Sequence, residues 1–153
     1  MALPTKRSKA TAAALKYGYR SGLEVRNADR LKSLKVPFDY EKYKIKWTEN
    51  KVRTYTPDFV LPSGIIIETK GRFVAKDRQK HLDIKKQYPT LDIRFVFTNP
   101  NAKLSKASKT TYASWCDKHG FLYSKEEIPE EWTKETKDAR YRNDFQKYLH
   151  YKP

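Results

Sequence analysis

One stretch of the 153-residue sequence decides the fold, and it reads TYTPDFVLPSGIIIETK from Thr54 to Lys70. Apolar and polar residues alternate on both sides of Pro62-Ser63-Gly64, which is typical of two antiparallel strands joined by a tight turn. A turn centred on this tripeptide places Asp58 directly opposite Glu68, with Cβ atoms roughly 4.5–5.5 Å apart. Lys70 follows two residues later and therefore projects from the same face as Glu68.

Two carboxylates that face each other on a hairpin repel, so the pattern calls for something that offsets the repulsion. Oxygen ligands without an accompanying cluster of Cys or His favour Mg²⁺ or Mn²⁺ over zinc. A metal held there can polarise a phosphodiester, while a nearby lysine orients water or neutralises developing charge. The alternative is an ordinary ion pair between Glu68 and Lys70, with Asp58 as a turn residue. A one-residue slip in register would move all three side chains to the other face.

A second candidate carboxylate lies earlier in the chain. Ser21-Gly22-Leu23-Glu24 has the form of a capping box, which predicts a helix beginning at Ser21 and ending before Pro37. From this pattern alone, Glu24 is a helix-capping residue with no catalytic role.

The remaining pattern predicts a mixed α/β domain. A change of phase in the alternation between Phe38 and Trp47 predicts one long strand with a bulge. Further elements are predicted as a basic helix over 77–88, a strand over 93–97, a helix over 111–119 that ends at Gly120, and a short turn over 128–132 whose Trp132 docks on the core.

Charge and composition predict a polyanionic partner. The net charge is +15, of which residues 1–23 carry +5 and residues 70–109 carry +8. The first sixteen residues lack periodicity and are predicted to form a flexible basic arm. No apolar run is long enough to span a membrane, and the single Cys116 excludes an internal disulfide, so a soluble cytoplasmic protein is expected, in the host cytoplasm if phage-encoded.

The residues also resemble a known family. The chain is similar to bacteriophage endonuclease I, the Holliday-junction resolvases of the PD-(D/E)XK nuclease superfamily. The resemblance runs in order from Arg20 to Trp132 through the blocks Arg20-Ser21-Gly22-Leu23-Glu24, Thr54-Tyr55-Thr56-Pro57-Asp58-Phe59, Glu68-Thr69-Lys70-Gly71, Lys80-His81-Leu82, Leu91-Asp92-Ile93-Arg94, Lys118-His119-Gly120, Ile128-Pro129 and Glu131-Trp132.

This resemblance implies an active site of Glu24, Asp58, Glu68 and Lys70. Asp58 and Glu68, with the Thr69 carbonyl, would hold one Mg²⁺, and Glu24 and Asp58 would help to hold a second. Mn²⁺ would substitute for Mg²⁺, and hydrolysis would leave a 5′-phosphate. Lys70 would contact the attacking water or the scissile phosphate.

The resemblance further implies a restriction-endonuclease-like mixed sheet flanked by helices, in an intertwined, domain-swapped homodimer. In that arrangement Glu24 completes the site of the partner chain. The predicted division is an arm over 1–16, a nuclease domain over 17–132 and a C-terminal tail over 133–153. The nuclease domain comprises a first helix and strand over 21–47, a bridge over 48–53 and a catalytic segment over 54–132.

The expected partner is branched DNA, a four-way junction, with no membrane and no small-molecule cofactor. Candidate DNA contacts are basic or imidazole side chains of the two positive stretches, namely Lys6, Arg7, Lys9, Lys16, Arg20, Arg72, Lys76, Arg78, Lys80 and His81. Two alternatives remain: a nuclease of the same fold that acts on mismatched or linear duplex, and a basic nucleic-acid-binding module without catalysis.

Overall fold

A computed structural model describes residues 18–49 and 51–136 in full, and the backbone of 150–151. The helices are α1 (Gly22–Ser33), α2 (Ala75–Gln87), α3 (Tyr112–His119) and α4 (Glu130–Lys134). The strands are β1 (Asp39–Tyr40), β2 (Tyr43–Thr48), β3 (Val52–Tyr55), β4 (Phe59–Val60), β5 (Ile66–Lys70), β6 (Ile93–Phe97), β7 (Tyr123–Lys125) and β8 (His150–Tyr151). The predicted arm over 1–16 and most of the tail over 133–153 lie outside the described residues.

A five-stranded mixed sheet, in the order β1-β4-β5-β6-β7, forms the centre of the molecule. β4 and β5 are antiparallel, whereas β5, β6 and β7 run parallel to one another. Phe59 pairs with Ile67 and Val60 with Ile66, which confirms the predicted hairpin register. Asp58 and Glu68 therefore flank the paired residues at the same end of the hairpin.

Helices cover both faces of this sheet because the side chains of β5 alternate between two apolar clusters. Ile66 packs on one side with Ile84 of α2 and Trp115 of α3. Ile67 packs on the other side with Leu31 of α1 and Trp132 of α4. The predicted mixed α/β domain is confirmed, as is the docking of Trp132.

The single bulged strand predicted over 38–47 is wrong. The extended backbone is interrupted at Glu41, whose φ of 45° lies in the left-handed region, so two separate strands form. β1 joins the five-stranded sheet, and β2 joins a second sheet in the order β3-β2-β8. The change of phase in the sequence marks this break between sheets.

The segment predicted as one strand from Thr54 to Leu61 is also divided. β3 ends at Tyr55 and β4 begins at Phe59, so Thr56-Pro57-Asp58 form a connection between the two sheets. Proline supplies no backbone N–H to a ladder, which favours an interruption at this point. Asp58 is thereby presented from a connection just before its strand.

The predicted bridge over 48–53 begins as the turn of a hairpin within the single chain. Thr48 pairs with Val52 and Ile45 with Tyr55 across β2 and β3. The side chain of Gln87, at the end of α2, accepts a hydrogen bond from the Thr48 N–H at 2.7 Å and donates one to the Thr48 carbonyl at 2.6 Å. The described chain thus folds back on itself at this turn.

The helix ends follow the predicted capping signals in most respects. Ser21 Oγ accepts a hydrogen bond from the Glu24 N–H at 3.1 Å, and α3 ends at Gly120 with a φ of 74°. The Glu24 carboxylate departs from the capping box, because it accepts from the Arg20 N–H instead of that of Ser21. Among the described residues, no helix has the length and apolar character needed to cross a membrane.

Candidate active site

An open pocket of about 460 Å³ lies where α1 begins, β3 passes into β4 and β5 ends. It is lined by Arg20, Ser21, Glu24, Thr54, Tyr55, Thr56, Asp58, Glu68, Thr69, Lys70, Gly71 and Lys80. All four catalytic residues that were predicted from the sequence are therefore brought together by one chain.

Glu24 enters the pocket from the first turn of α1 and is only 7% exposed. Its Oε2 accepts hydrogen bonds from the Arg20 N–H at 2.7 Å and from the Tyr40 hydroxyl. The carboxylate is consequently held through one oxygen by two donors that are themselves in contact.

Asp58 is held by the residue next to Glu68. Its Oδ2 accepts from both the N–H and the Oγ1 hydroxyl of Thr69, each at 2.8 Å. These two hydrogen bonds connect the β3–β4 connection to β5, so the positions of Asp58 and Glu68 are fixed relative to each other.

Glu68 is 4% exposed and lies between a hydroxyl and an ammonium group. The Tyr55 hydroxyl donates to Glu68 Oε2 at 2.7 Å, and Lys70 Nζ lies 3.5 Å from Glu68 Oε1. Lys70 Nζ also lies 3.5 Å from Asp77 Oδ2 of α2. Asp77 thus holds the lysine at the edge of the pocket.

Burial and mutual repulsion disfavour ionised carboxylates in this pocket. Burial, followed by the charges of Glu68 and Glu24, raises the pKa of Asp58 well above its usual range. Burial also raises the pKa of Glu68, although the charge of Lys70 opposes it. Burial lowers the pKa of Lys70, but the charges of Glu68 and Asp77 outweigh this effect and leave it raised.

These features fit a hard divalent cation. Carboxylate oxygens of Glu24, Glu41 and Asp58 lie within 4.8 Å of one another, with no nitrogen or sulfur ligand in the group. Such donors suit Mg²⁺ or Mn²⁺, and a cation would offset the repulsion that raises the pKa of Asp58. Glu68 lies outside this trio but lines the same pocket.

Comparison with known proteins identifies the family. The profile of phage endonuclease I matches residues 2–150. The chain belongs to the phage endonuclease I family. It is 47% identical to "Endonuclease I" of Escherichia phage T7 over 120 residues, which are 78% of this chain and 80% of that protein. It is 48% identical to "Endodeoxyribonuclease 1" of Enterobacteria phage T3, over 78% of this chain and 79% of that protein.

In this member of the endonuclease I family, four residues shape the site without having been predicted to do so. Glu41 enters the carboxylate trio, and its N–H donates to the Asp58 carbonyl at 3.2 Å. Tyr40 and Tyr55 donate to Glu24 and Glu68, and Asp77 holds Lys70. The one signal in the sequence was the change of phase next to Glu41. The other three contacts join side chains on different helices, strands and connections, which local alternation does not pair.

The predicted DNA contacts lie in different environments. Arg20 and Lys80 line the pocket, while Arg72 and Lys76 are exposed near it. Arg78 is partly buried and donates to the Phe73 carbonyl at 2.5 Å. The remaining basic candidates, Lys6, Arg7, Lys9 and Lys16, lie outside the described residues.

The predicted DNA contact of His81 is wrong in this structure. His81 has 0% exposure and packs edge-on against the rings of Tyr55 and Phe95, with centroids at 5.1 Å and 4.9 Å. Neither ring nitrogen has a hydrogen-bond partner among the described residues. Burial, and then the charges of Lys80 and Lys70, lower the pKa of His81 well below its usual value.

We expect His81 to make the free energy of unfolding sensitive to acid. The unfolded chain takes up a proton on this histidine below pH 6.5, whereas the folded chain does not, so stability is lost as the pH falls. When the pH is lowered from 7.5 to 5.5, the free energy of unfolding of the unchanged protein should fall by about 1 kcal/mol more than that of His81→Phe. Urea denaturation at several pH values measures this difference.

The matched control is His119→Gln, which changes a partly exposed histidine at the end of α3. Its pH dependence should change in the same direction as that of His81→Phe but by less, because burial lowers the pKa of His119 below its usual value and that of His81 well below it. Parallel stability curves for His81→Phe and the unchanged protein would contradict the expected role of His81.

Proposed function

We propose that this protein is a metal-dependent DNA endonuclease that resolves four-way junctions, with a restriction-endonuclease-like core. The observation that supports it most directly is the convergence of Glu24, Asp58, Glu68 and Lys70 in one open pocket. The family membership and the name "Endodeoxyribonuclease 1" of the phage T3 relative support DNA as the substrate. The phage relatives also favour action in the host cytoplasm.

The residues of the pocket divide the work of phosphodiester hydrolysis. Asp58 and Glu68, with the Thr69 carbonyl, are assigned to one Mg²⁺ or Mn²⁺, and Glu24 and Asp58 to a second. When bound, these ions supply charge for the scissile phosphate and lower the pKa of water. Lys70, whose Nζ lies 3.5 Å from Glu68 Oε1, is assigned to orient the attacking water or neutralise charge on the phosphate. The expected product carries a 5′-phosphate.

Selectivity for a branched substrate is assigned to the shape of the basic surface around the pocket. Phosphates carry no sequence information, so their contacts position the DNA by its backbone path. Arg20 and Lys80 at the pocket, and Arg72 and Lys76 nearby, are the described residues suited to this role. The arm over 1–16 and the stretch over 70–109 supply much of the positive charge.

A competition assay tests the proposed substrate. We expect the protein, with Mg²⁺, to cleave a synthetic four-way junction in preference to a matched linear duplex of the same sequence. Equal cleavage of both would contradict junction resolution and favour the linear-duplex alternative. DNA binding without any divalent-dependent cleavage would favour the non-catalytic module.

We further propose an intertwined homodimer in which α1 and β2 of one chain pack on the catalytic segment of its partner. The unit that would exchange is the first helix and strand over 21–47. In the single chain it contacts the catalytic segment through the β1–β4 pairing and the Glu41–Asp58 hydrogen bond. Residues 48–53 form the chain connection between the two units, and opening this turn would let a partner supply the same contacts. Paired sites suit junction resolution because it requires two cuts.

We expect the arm to contribute to DNA binding by neutralising phosphates. Deleting residues 1–16 removes Lys6, Arg7, Lys9 and Lys16. For each phosphate that the shortened protein no longer neutralises, the negative slope of log K against log salt should become shallower by about 0.9 on duplex DNA. A fluorescence anisotropy titration at several salt concentrations measures the slope.

The control for this deletion keeps the arm and changes those four basic residues to glutamine. It should reproduce the flatter slope if charge is responsible. An unchanged slope in the deletion would remove the arm from the DNA interface.

A further inference from the structure

Two tyrosine hydroxyls donate hydrogen bonds to carboxylates of the pocket. The Tyr55 hydroxyl donates to Glu68 Oε2 at 2.7 Å, and the Tyr40 hydroxyl donates to Glu24 Oε2. Neither tyrosine has a role in the proposed hydrolysis, and they come from different sheets, β3 and β1. Each therefore contacts a carboxylate that the proposed function assigns to metal binding.

The hydrogen bonds to these carboxylates follow a common pattern in which one oxygen takes the protein donors. Glu24 Oε2 accepts from Arg20 and Tyr40, and Asp58 Oδ2 accepts both bonds from Thr69. Within residues 18–49 and 51–136, no hydrogen bond reaches Glu24 Oε1 or Asp58 Oδ1. In Glu68, Oε2 takes the Tyr55 hydroxyl and Oε1 is left toward Lys70. In Glu24 and Asp58, one oxygen is thus held while the other accepts no hydrogen bond from the described residues, whereas the second oxygen of Glu68 faces the Lys70 ammonium group.

Tyr55 is itself rigidly placed. It is 2% exposed, its backbone pairs with Ile45, and its ring centroid lies 5.1 Å from that of His81 in an edge-to-face arrangement. Lys80 Nζ lies 5.4 Å from the centre of the same ring.

Tyr40 is placed by similar contacts. It pairs with Phe59 across β1 and β4, and its ring packs against Phe59 at 5.4 Å and against Tyr19 at 4.7 Å. The Arg20 N–H, which donates to Glu24, also lies 3.2 Å from the Tyr40 hydroxyl oxygen. The hydroxyl, the backbone N–H and the carboxylate oxygen therefore form a closed triangle.

We propose that Tyr40 and Tyr55 are positioning residues that orient Glu24 and Glu68 for divalent metal binding. This inference rests on the proposed function. A glutamate has three rotatable side-chain bonds, and holding one oxygen leaves the second in a defined direction. Loss of such a supporting hydrogen bond typically weakens metal affinity by 10- to 100-fold.

The test uses Tyr40→Phe and Tyr55→Phe, which remove one oxygen atom each and keep the packing of the ring. The matched control is Tyr43→Phe, because the Tyr43 hydroxyl donates to Asp39 Oδ2 at 2.8 Å and Tyr43 does not line the pocket. Binding of Mn²⁺ alone is measured by titration calorimetry without DNA. Junction cleavage is then measured across a range of Mg²⁺ concentrations.

In the two site variants, we expect the Kd for Mn²⁺ and the half-saturating Mg²⁺ concentration to rise by roughly tenfold or more. The cleavage rate at saturating Mg²⁺ should stay within about threefold of that of the unchanged enzyme, because excess metal fills the site even when the affinity for the metal is reduced. Tyr43→Phe should match the unchanged protein in both measurements.

Three outcomes would overturn the assignment. One is Mn²⁺ affinity equal to that of Tyr43→Phe in both site variants. Another is a fall in rate at every Mg²⁺ concentration without a shift in half-saturation, which would indicate a structural role. The third is that the protein without any substitution neither binds Mn²⁺ nor cleaves DNA. This result would overturn the proposed function as well, which distinguishes it from the first two.

Discussion

Asp58→Asn is expected to reduce the rate of divalent-dependent junction cleavage by at least about a thousandfold, equivalent to roughly 4 kcal/mol of transition-state stabilisation. Asparagine has nearly the same shape, and its carbonyl oxygen can still accept the two hydrogen bonds from Thr69. The substitution removes the negative charge that the proposed function assigns to both metals. The loss should therefore be chemical, with the fold retained.

Single-turnover cleavage of a four-way junction measures the rate, and anisotropy measures the binding of the same junction in the absence of divalent ions. Binding should be unchanged or tighter, because a negative charge near the DNA is removed. Asp117→Asn, an exposed carboxylate change on α3, is the matched control and should cleave normally. Cleavage by Asp58→Asn within tenfold of the control would contradict the proposed metal site.

Co-expression of a Glu24→Gln chain with an Asp58→Asn chain is expected to restore cleavage that neither homodimer shows. In an intertwined dimer, one site of the mixed pair receives both substitutions and the other receives intact Glu24 and Asp58. The second site should nick one strand of a junction at close to the normal rate. In a dimer without exchange, each chain keeps its own substituted site, so the mixed pair stays inactive.

Different affinity tags on the two chains allow the mixed dimer to be isolated after co-expression. A native gel then separates a nicked junction, which stays in one piece, from a fully cut one, which gives two duplexes. The paired controls are the two homodimers, expressed and purified alike. Activity in the mixed dimer no greater than in the homodimers would rule out the exchanged arrangement. A protein that remains monomeric at micromolar concentration would do the same.

The hairpin register could be predicted from sequence because its information is local. Alternation on both sides of Pro62-Ser63-Gly64 leaves few registers that bury Phe59 and Ile67 together. The position of Asp58 beside Glu68 follows directly from that register. The association of Glu24 with them required the family resemblance, since its local pattern indicates only a helix cap.

His81 could not be placed correctly because its environment is built from distant segments. Its neighbours in sequence include Lys80 and Lys85, which favour a solvated face. Its neighbours in space are Tyr55 and Phe95, which come from two different strands. The same limit applies to Glu41, because an altered alternation reveals a break in a strand but not the sheet that each half joins.

The β2–β3 hairpin has a kinetic consequence for assembly. In a closed single chain, four residue pairs from Ile45–Tyr55 to Thr48–Val52 hold the turn shut, and Gln87 holds Thr48 from outside. Exchange between chains must break this ladder and expose Ile45, which is fully buried. In the proposed exchanged dimer the same residue pairs would form between the two chains, so we expect partners to be selected while the chains fold. Such dimers, once formed and mixed in solution, should trade subunits only when these interchain pairs open.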